Sequence, residues 1–361
     1  MFLLNIGSAI GSVWSNVWPY LVAILLFGMI ILIHEFGHFF FAKLFKVKVN
    51  EFALGMGPTL FKKQKGETTY ALRLFPIGGF VSMEGEDEAS DNDRAFNNKP
   101  AWQRFIIVAA GAILNLILGV IVVGITLSAE GLVGSRTVCQ FMDGAVSSQY
   151  GLEEGDEIVK INGTHVYSFR GISFNMVRDS DNKLDLTVIR NGEKIELEGV
   201  EFNQFEYEGR TFIQQDFYLL GYEPTVGNVC KNAVLDSASI IQMVRLSLVD
   251  LCTGHYGLKD MSGPVGTITA IADSTAEGET FGEQMLTAFI LLSFITINVG
   301  VMNLLPIPAL DGGRLFFILV EMIRRKPIDP KKEGKIHTAG LAILLAFMAV
   351  VTVSDIIKQF K

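Results

Sequence analysis

Cysteine is nearly missing from this chain: three occur among 361 residues, Cys139, Cys230 and Cys252, and none belongs to a CxxC pair. That excludes a disulfide framework, and the odd count leaves at least one thiol free. Lys and Arg are absent from the first seventeen residues. The chain therefore lacks the basic start of a removable signal peptide, and the first apolar run is too long for one. Charge is scarce overall, at 19% of residues against 50% hydrophobic, and the mean hydropathy is +0.38. Those values exclude an ordinary soluble protein. With a net charge of −8, no nucleic-acid partner is expected.

What is present is a set of long apolar runs. Trp18–Phe41, Phe105–Leu127 and Met285–Leu305 are each long enough for a helix to cross a bilayer, which takes about 20 residues. The third continues as Leu315–Ile323, and a fourth, Thr338–Val353, extends at either end. Basic residues cluster in two connections. One holds Lys43, Lys46, Lys48, Lys62, Lys63 and Lys65; the other holds Arg324, Arg325, Lys326, Lys331, Lys332 and Lys335. The positive-inside rule puts both in the cytoplasm, with both termini and the acidic stretch Ala129–Glu283 outside.

Inside the first run lies His34-Glu35-Phe36-Gly37-His38. Ionisable groups within a span are expensive and need partners. Residues four apart share a helix face, so His34 and His38 can grip one Zn²⁺ with Glu35 beside it as a general base. A catalytic zinc needs a third protein ligand and an open position. Asp311 is the candidate, in Asn303-Leu304-Leu305-Pro306-Ile307-Pro308-Ala309-Leu310-Asp311-Gly312-Gly313, where prolines and glycines break the third span. Broken backbone at membrane depth belongs where it lines a cavity. The bland alternative for Asp311 is a helix cap.

Between the first two spans, alternating runs broken by glycines read as a membrane-associated β-hairpin or sheet. The best strand, Thr68–Phe75, is expected to offer a free edge to an extended substrate. Farther on, Gly144-Ala145, Gly151-Leu152, Gly155-Asp156 and Ile161-Asn162-Gly163 resemble a PDZ domain, and Asn191-Gly192 signals a hairpin. Asn228–Leu251 reads as an amphipathic helix on the outer membrane surface, apolar along Val234, Ile241, Val244 and Leu248. His165 reads as a surface residue and His255 as no ligand.

Taken together, HEFGH, GMGP at Gly55–Pro58, FPIGGFVSM at Phe75–Met83, FNNKPAWQRFIIVAAG entering the second span, SGPVG at Ser262–Gly266 and NLLPIPALDGG resemble the site-2 proteases of the bacterial regulator-of-sigma-E type. The resemblance covers nearly the whole chain and departs after Gly111, where Ala112 stands in place of the usual Pro. It implies one Zn²⁺ on His34, His38 and Asp311, water activation by Glu35, and substrate contacts from Asn303 and from the hairpin at Thr68, Tyr70, Leu72, Gly78 and Gly79. It also implies single-pass membrane substrates of the anti-sigma-factor class, already trimmed outside by another protease, or signal-peptide remnants. The expected fold is a polytopic α-helical membrane protein with four transmembrane helices, a membrane-associated β-hairpin and an inserted α+β PDZ domain. Its parts are a first span at 17–45, a cytoplasmic or membrane-embedded β region at 46–99 and a second span at 100–128. A PDZ domain at 129–205, strands and an amphipathic helix at 206–282, a third span at 283–325 and a fourth at 333–356 follow. A metal-ion transporter and a catalytically inactive PDZ scaffold are the rival readings.

Overall fold

The computed structural model describes residues 2–86, 88, 90–179, 182–207, 210–254, 263–326, 328 and 330–359. His255 and Ser262 fall outside them. The chain forms two compact units, one of residues 1–119 and 250–361, the other of residues 120–249.

The first unit opens with helix α1 (Phe2–Leu44), followed by two long antiparallel strands, β1 (Val49–Lys65) and β2 (Thr68–Met83). Helix α2 (Ala101–Ala129) begins here. Four segments, Val17–Leu44 in α1, α2, Phe281–Asn303 and Lys332–Ile357, are long and apolar enough to cross a membrane. The third expected span, 283–325, is two helices: α6 (Phe281–Asn303) and α7 (Asp311–Arg324) flank a non-helical loop.

Each long strand folds back, which gives the hairpin more than one edge. Residues 69–72 pair with 51–54 on one side and, through Phe61–Gln64, with a second partner on the other. Residues 79–82 pair with 51–54 alone. Residues 69–72 are therefore internal, and the edge expected at Tyr70 and Leu72 is already taken by the chain itself. Thr68 is buried, its hydroxyl donating to the Val49 carbonyl at 2.8 Å, and Tyr70 packs against Phe39 and Phe52. Single-sided edges lie at Gly79–Ser82 and at Phe61–Gln64, and the first of them is the one beside α1. At the hairpin turn, Arg94 grips Glu67 with two 2.7 Å hydrogen bonds and Lys43 adds a third. These donors hold the Glu67 carboxyl down at about 2. Beneath the sheet, Val49, Val81 and Met83 share a core with Ala42, Ile107, Val108, Leu315 and Ile318. Apolar burial of this kind, at roughly 25 cal/mol per Å², joins α1, α2 and α7 where the site is built.

The second unit carries a sheet built on β3 (Val133–Phe141), β4 (Glu157–Ile161), β5 (Thr164–His165), β6 (Lys183–Arg190), β7 (Glu193–Glu201) and β10 (Phe217–Tyr222). Its order is β10-β3-β4-β6-β7, with β5 beside β4. Helix α3 (Phe169–Arg178) follows β5, and a separate hairpin of β8 (Asn203–Tyr207) and β9 (Arg210–Gln214) precedes β10. The module expected to end at 205 thus takes its last strand from beyond that boundary. Asp216, fully buried, secures that strand by accepting from the Val146 and Ser147 amides and the Ser147 hydroxyl. Asn191 and Gly192 both have positive φ, as a two-residue turn between β6 and β7 requires.

Helix α4 (Val226–Thr253) buries Ala233, Asp236, Ile240 and Val244, whereas Val234 and Ile241 are exposed. The apolar face expected to run through Val234, Ile241 and Val244 is therefore split. Its packed side includes a polar tie, Arg170 to Asp236 at 3.2 Å and Ser168 to Ser239 at 2.9 Å. Helix α5 (Pro264–Ala276) and helix α8 (Pro330–Gln359) complete the first unit.

Candidate metal centre

On α1, His34 and His38 stand one turn apart, and their Nε2 atoms approach to 3.2 Å. Asp311 Oδ2 lies 3.1 Å from His34 Nε2 and 3.3 Å from His38 Nε2. A tetrahedral zinc with ligands at about 2.0–2.1 Å spaces them about 3.3 Å apart. The three atoms therefore outline one face of a zinc tetrahedron, with the fourth corner open. Asp311 Oδ2 is buried, and the two imidazole nitrogens are its polar neighbours among the described residues. Two imidazole nitrogens and a carboxylate oxygen converging at this distance fit a cation between them. These three form a cluster able to hold a metal ion.

Supports for the ligands come from other elements. His38 Nδ1 faces the Ile107 carbonyl at 2.9 Å. A carbonyl only accepts, so Nδ1 carries the proton and Nε2 keeps its lone pair for metal. From α2, Gly111 lies against both rings: a β-carbon there would overlap His38 Nε2 and come 2.9 Å from His34 Cε1. Asn115, fully buried one turn farther along, reaches His34 Nδ1 at 3.4 Å. Neither Gly111 nor Asn115 stands out as a site residue in the sequence, because the closeness of α2 to α1 is a tertiary fact.

Asp311 is the first residue of α7; the N-cap is Leu310, and no side chain caps the helix. The helix-cap alternative thus fails, while a carboxylate at a helix N-terminus gains from the dipole. Gly312 is needed because the preceding loop folds over it, so that a β-carbon would overlap the Leu305 carbonyl. Within that loop Ala309 has φ 81°, a strained value for alanine, and its amide donates to His337 Nδ1 on α8 at 3.1 Å. His337 is a loop support that sequence reading misses.

Glu35 is half-buried and stands outside the ligand triangle. Its side chain borders the Gly79–Ser82 edge of the sheet: a β-carbon on Gly79 would lie 2.9 Å from Glu35 Cγ. Gly78 precedes it in the same strand with φ 81°. Asn303, half-buried, ends α6 at the start of the broken segment. Tyr70 and Leu72 belong to the internal residues 69–72, which Thr68 precedes. His165 is exposed on β5.

The chain matches peptidase family M50 over residues 22–347. It belongs to that family, the site-2 proteases. A Clostridium acetobutylicum protein whose name proposes a zinc metalloprotease is 40% identical over 342 residues, 93% of this chain and 96% of the relative. Zinc metalloprotease RasP of Shouchella clausii is 31% identical, with 94% and 99% covered. Regulator of sigma-W protease RasP of Bacillus subtilis is 29% identical, with 93% and 98% covered. This M50 protein is accordingly a zinc metalloprotease of the membrane.

Proposed function

We propose that this protease cleaves peptide bonds inside the transmembrane segments of single-pass membrane proteins, using one zinc held by His34, His38 and Asp311. The observation that carries the reading is the ligand triangle of 3.1–3.3 Å, set on a helix apolar enough to span a membrane. Zinc, when bound, supplies Lewis acidity and a water acidified to near neutral pH. Glu35 then takes the proton on a carboxylate oxygen and delivers it to the leaving amine. A transmembrane helix has its amides bonded internally and must unwind before attack. The Gly79–Ser82 edge, beside Glu35, accepts the freed backbone by strand addition. Asn303 holds the substrate backbone at the other side of the break.

The name of the Bacillus relative, a regulator of sigma-W protease, supports a substrate of the anti-sigma-factor class; trimming of that substrate outside by an earlier protease, and signal-peptide remnants as a second class, belong to the same proposal. The basic connections support a zinc site toward the cytoplasmic face and extracytoplasmic termini. A substrate trapped by Glu35→Gln protein should crosslink to a photoreactive side chain at Phe80 and not to one at Leu72. Crosslinking confined to Leu72 would remove the edge assignment.

The sheet of the second unit, with its β10-β3-β4-β6-β7 order, is read as an extracytoplasmic PDZ domain. It acts as a size or end filter that excludes substrates still carrying a bulky outer domain. Replacing residues 133–222, the full extent of that sheet, with a short linker should leave cutting of a trimmed substrate intact and permit cutting of the untrimmed one. Complete loss of activity in a folded, zinc-loaded deletion would make the domain a recruiter instead. Exposed Val234 and Ile241 on α4 suit contact with the outer membrane surface.

A further inference from the structure

The zinc reading leaves one group unexplained, the side chain of Asn115. It is fully buried on α2, its Nδ2 sits 3.4 Å from His34 Nδ1, and its Oδ1 has no partner among the described residues. With Nδ2 donating, His34 Nδ1 must be the acceptor. The ring proton then sits on Nε2, where it points toward Asp311 Oδ2 at 3.1 Å and blocks metal binding. Rotating the amide by half a turn exchanges its oxygen and nitrogen, which occupy nearly the same space. Oδ1 would then accept from Nδ1–H, and Nε2 would present a lone pair to the metal.

We infer that Asn115 is a positioning residue for His34, whose amide flips between a metal-free hydrogen-bonded pair and a metal-ready one. The inference rests on the zinc site proposed above. His38 has no such freedom, because the Ile107 carbonyl at its Nδ1 is an acceptor in every state. One imidazole is thus set for metal by the backbone, and the other is set by a side chain that can serve either tautomer. The α2 backbone at this point is held separately: the Asn115 carbonyl accepts from the Thr296 hydroxyl on α6 at 3.3 Å. Side-chain substitutions leave that bond in place.

The test is zinc affinity of the purified full chain, stripped and titrated against a competing chelator, with the visible spectrum of the Co²⁺-loaded protein as a geometric readout. Asn115→Leu, which can neither donate nor accept, should weaken zinc by about 10–100-fold, the usual cost of losing an outer-shell partner. Asn115→Asp, a permanent acceptor, should restore affinity to the wild-type level or better and return the four-coordinate Co²⁺ spectrum. If Asn115→Leu binds zinc as tightly as wild type while His34→Ala does not, the positioning role is overturned and the zinc site stands. Should Asn115→Asp bind as weakly as Asn115→Leu, the acceptor role is likewise overturned. If wild type holds zinc that His34→Ala retains in full, the underlying site assignment fails instead.

Discussion

Glu35→Gln protein is expected to fold, hold its zinc and cut nothing measurable. Glutamine keeps the shape of glutamate and cannot take a proton from water. A positioned general base contributes about 10²–10⁴-fold to the rate, so cleavage of a membrane-embedded substrate in proteoliposomes should fall by roughly that factor. Zinc content should not change, because Glu35 lies outside the triangle formed by His34, His38 and Asp311. The two measurements separate chemistry from assembly. Undiminished turnover with normal zinc would leave the role of Glu35 as general base untenable and move that role to another group.

A second large effect is expected at the metal itself, by two unlike routes. Asp311→Ala removes a ligand and leaves two imidazoles to hold the ion. Affinity should drop by more than about 100-fold, beyond what losing an outer-shell partner costs. Gly111→Ala removes no ligand; it adds one methyl group where His38 Nε2 and the edge of the His34 ring already stand. The rings must move off the triangle, and zinc should be lost nearly as completely. Metal analysis of the purified proteins decides both. Full occupancy in Asp311→Ala would move the third ligand elsewhere, and full occupancy in Gly111→Ala would mean that α2 stands farther from α1 than described.

The parts of this molecule legible in its sequence are those set by local periodicity. Two histidines four apart in an apolar run, and one aspartate in a Pro- and Gly-broken run, announce themselves because charge is costly there. The geometry that brings them within 3.3 Å was not legible. It depends on the shared core in which Ile318 of α7 and Val108 of α2 are both buried. The Thr68–Phe75 strand shows why edges resist sequence reading. Its alternation announces a strand truly, but which side is free is decided by how β1 folds back on it. Strand β10 was missed as part of its sheet for the same reason, since a short alternating run carries no mark of the partner it will join. Asn115 and Gly111 are silent because their roles exist only across a helix pair.

The short free edge at Gly79–Ser82 bears on how such an enzyme chooses. Along an antiparallel edge, alternate residues turn their amide and carbonyl outward, so four residues offer about four hydrogen bonds. At a net value of about 1 kcal/mol each, they offset only a small part of unwinding a helix in lipid, where every unpaired group costs several kcal/mol. Because backbone bonds also ignore side-chain identity, selection by this edge falls on the intrinsic weakness of the incoming helix. Under the strand-addition reading proposed above, segments interrupted by glycine or proline, already inclined to open, should be admitted by their instability more than by their spelling.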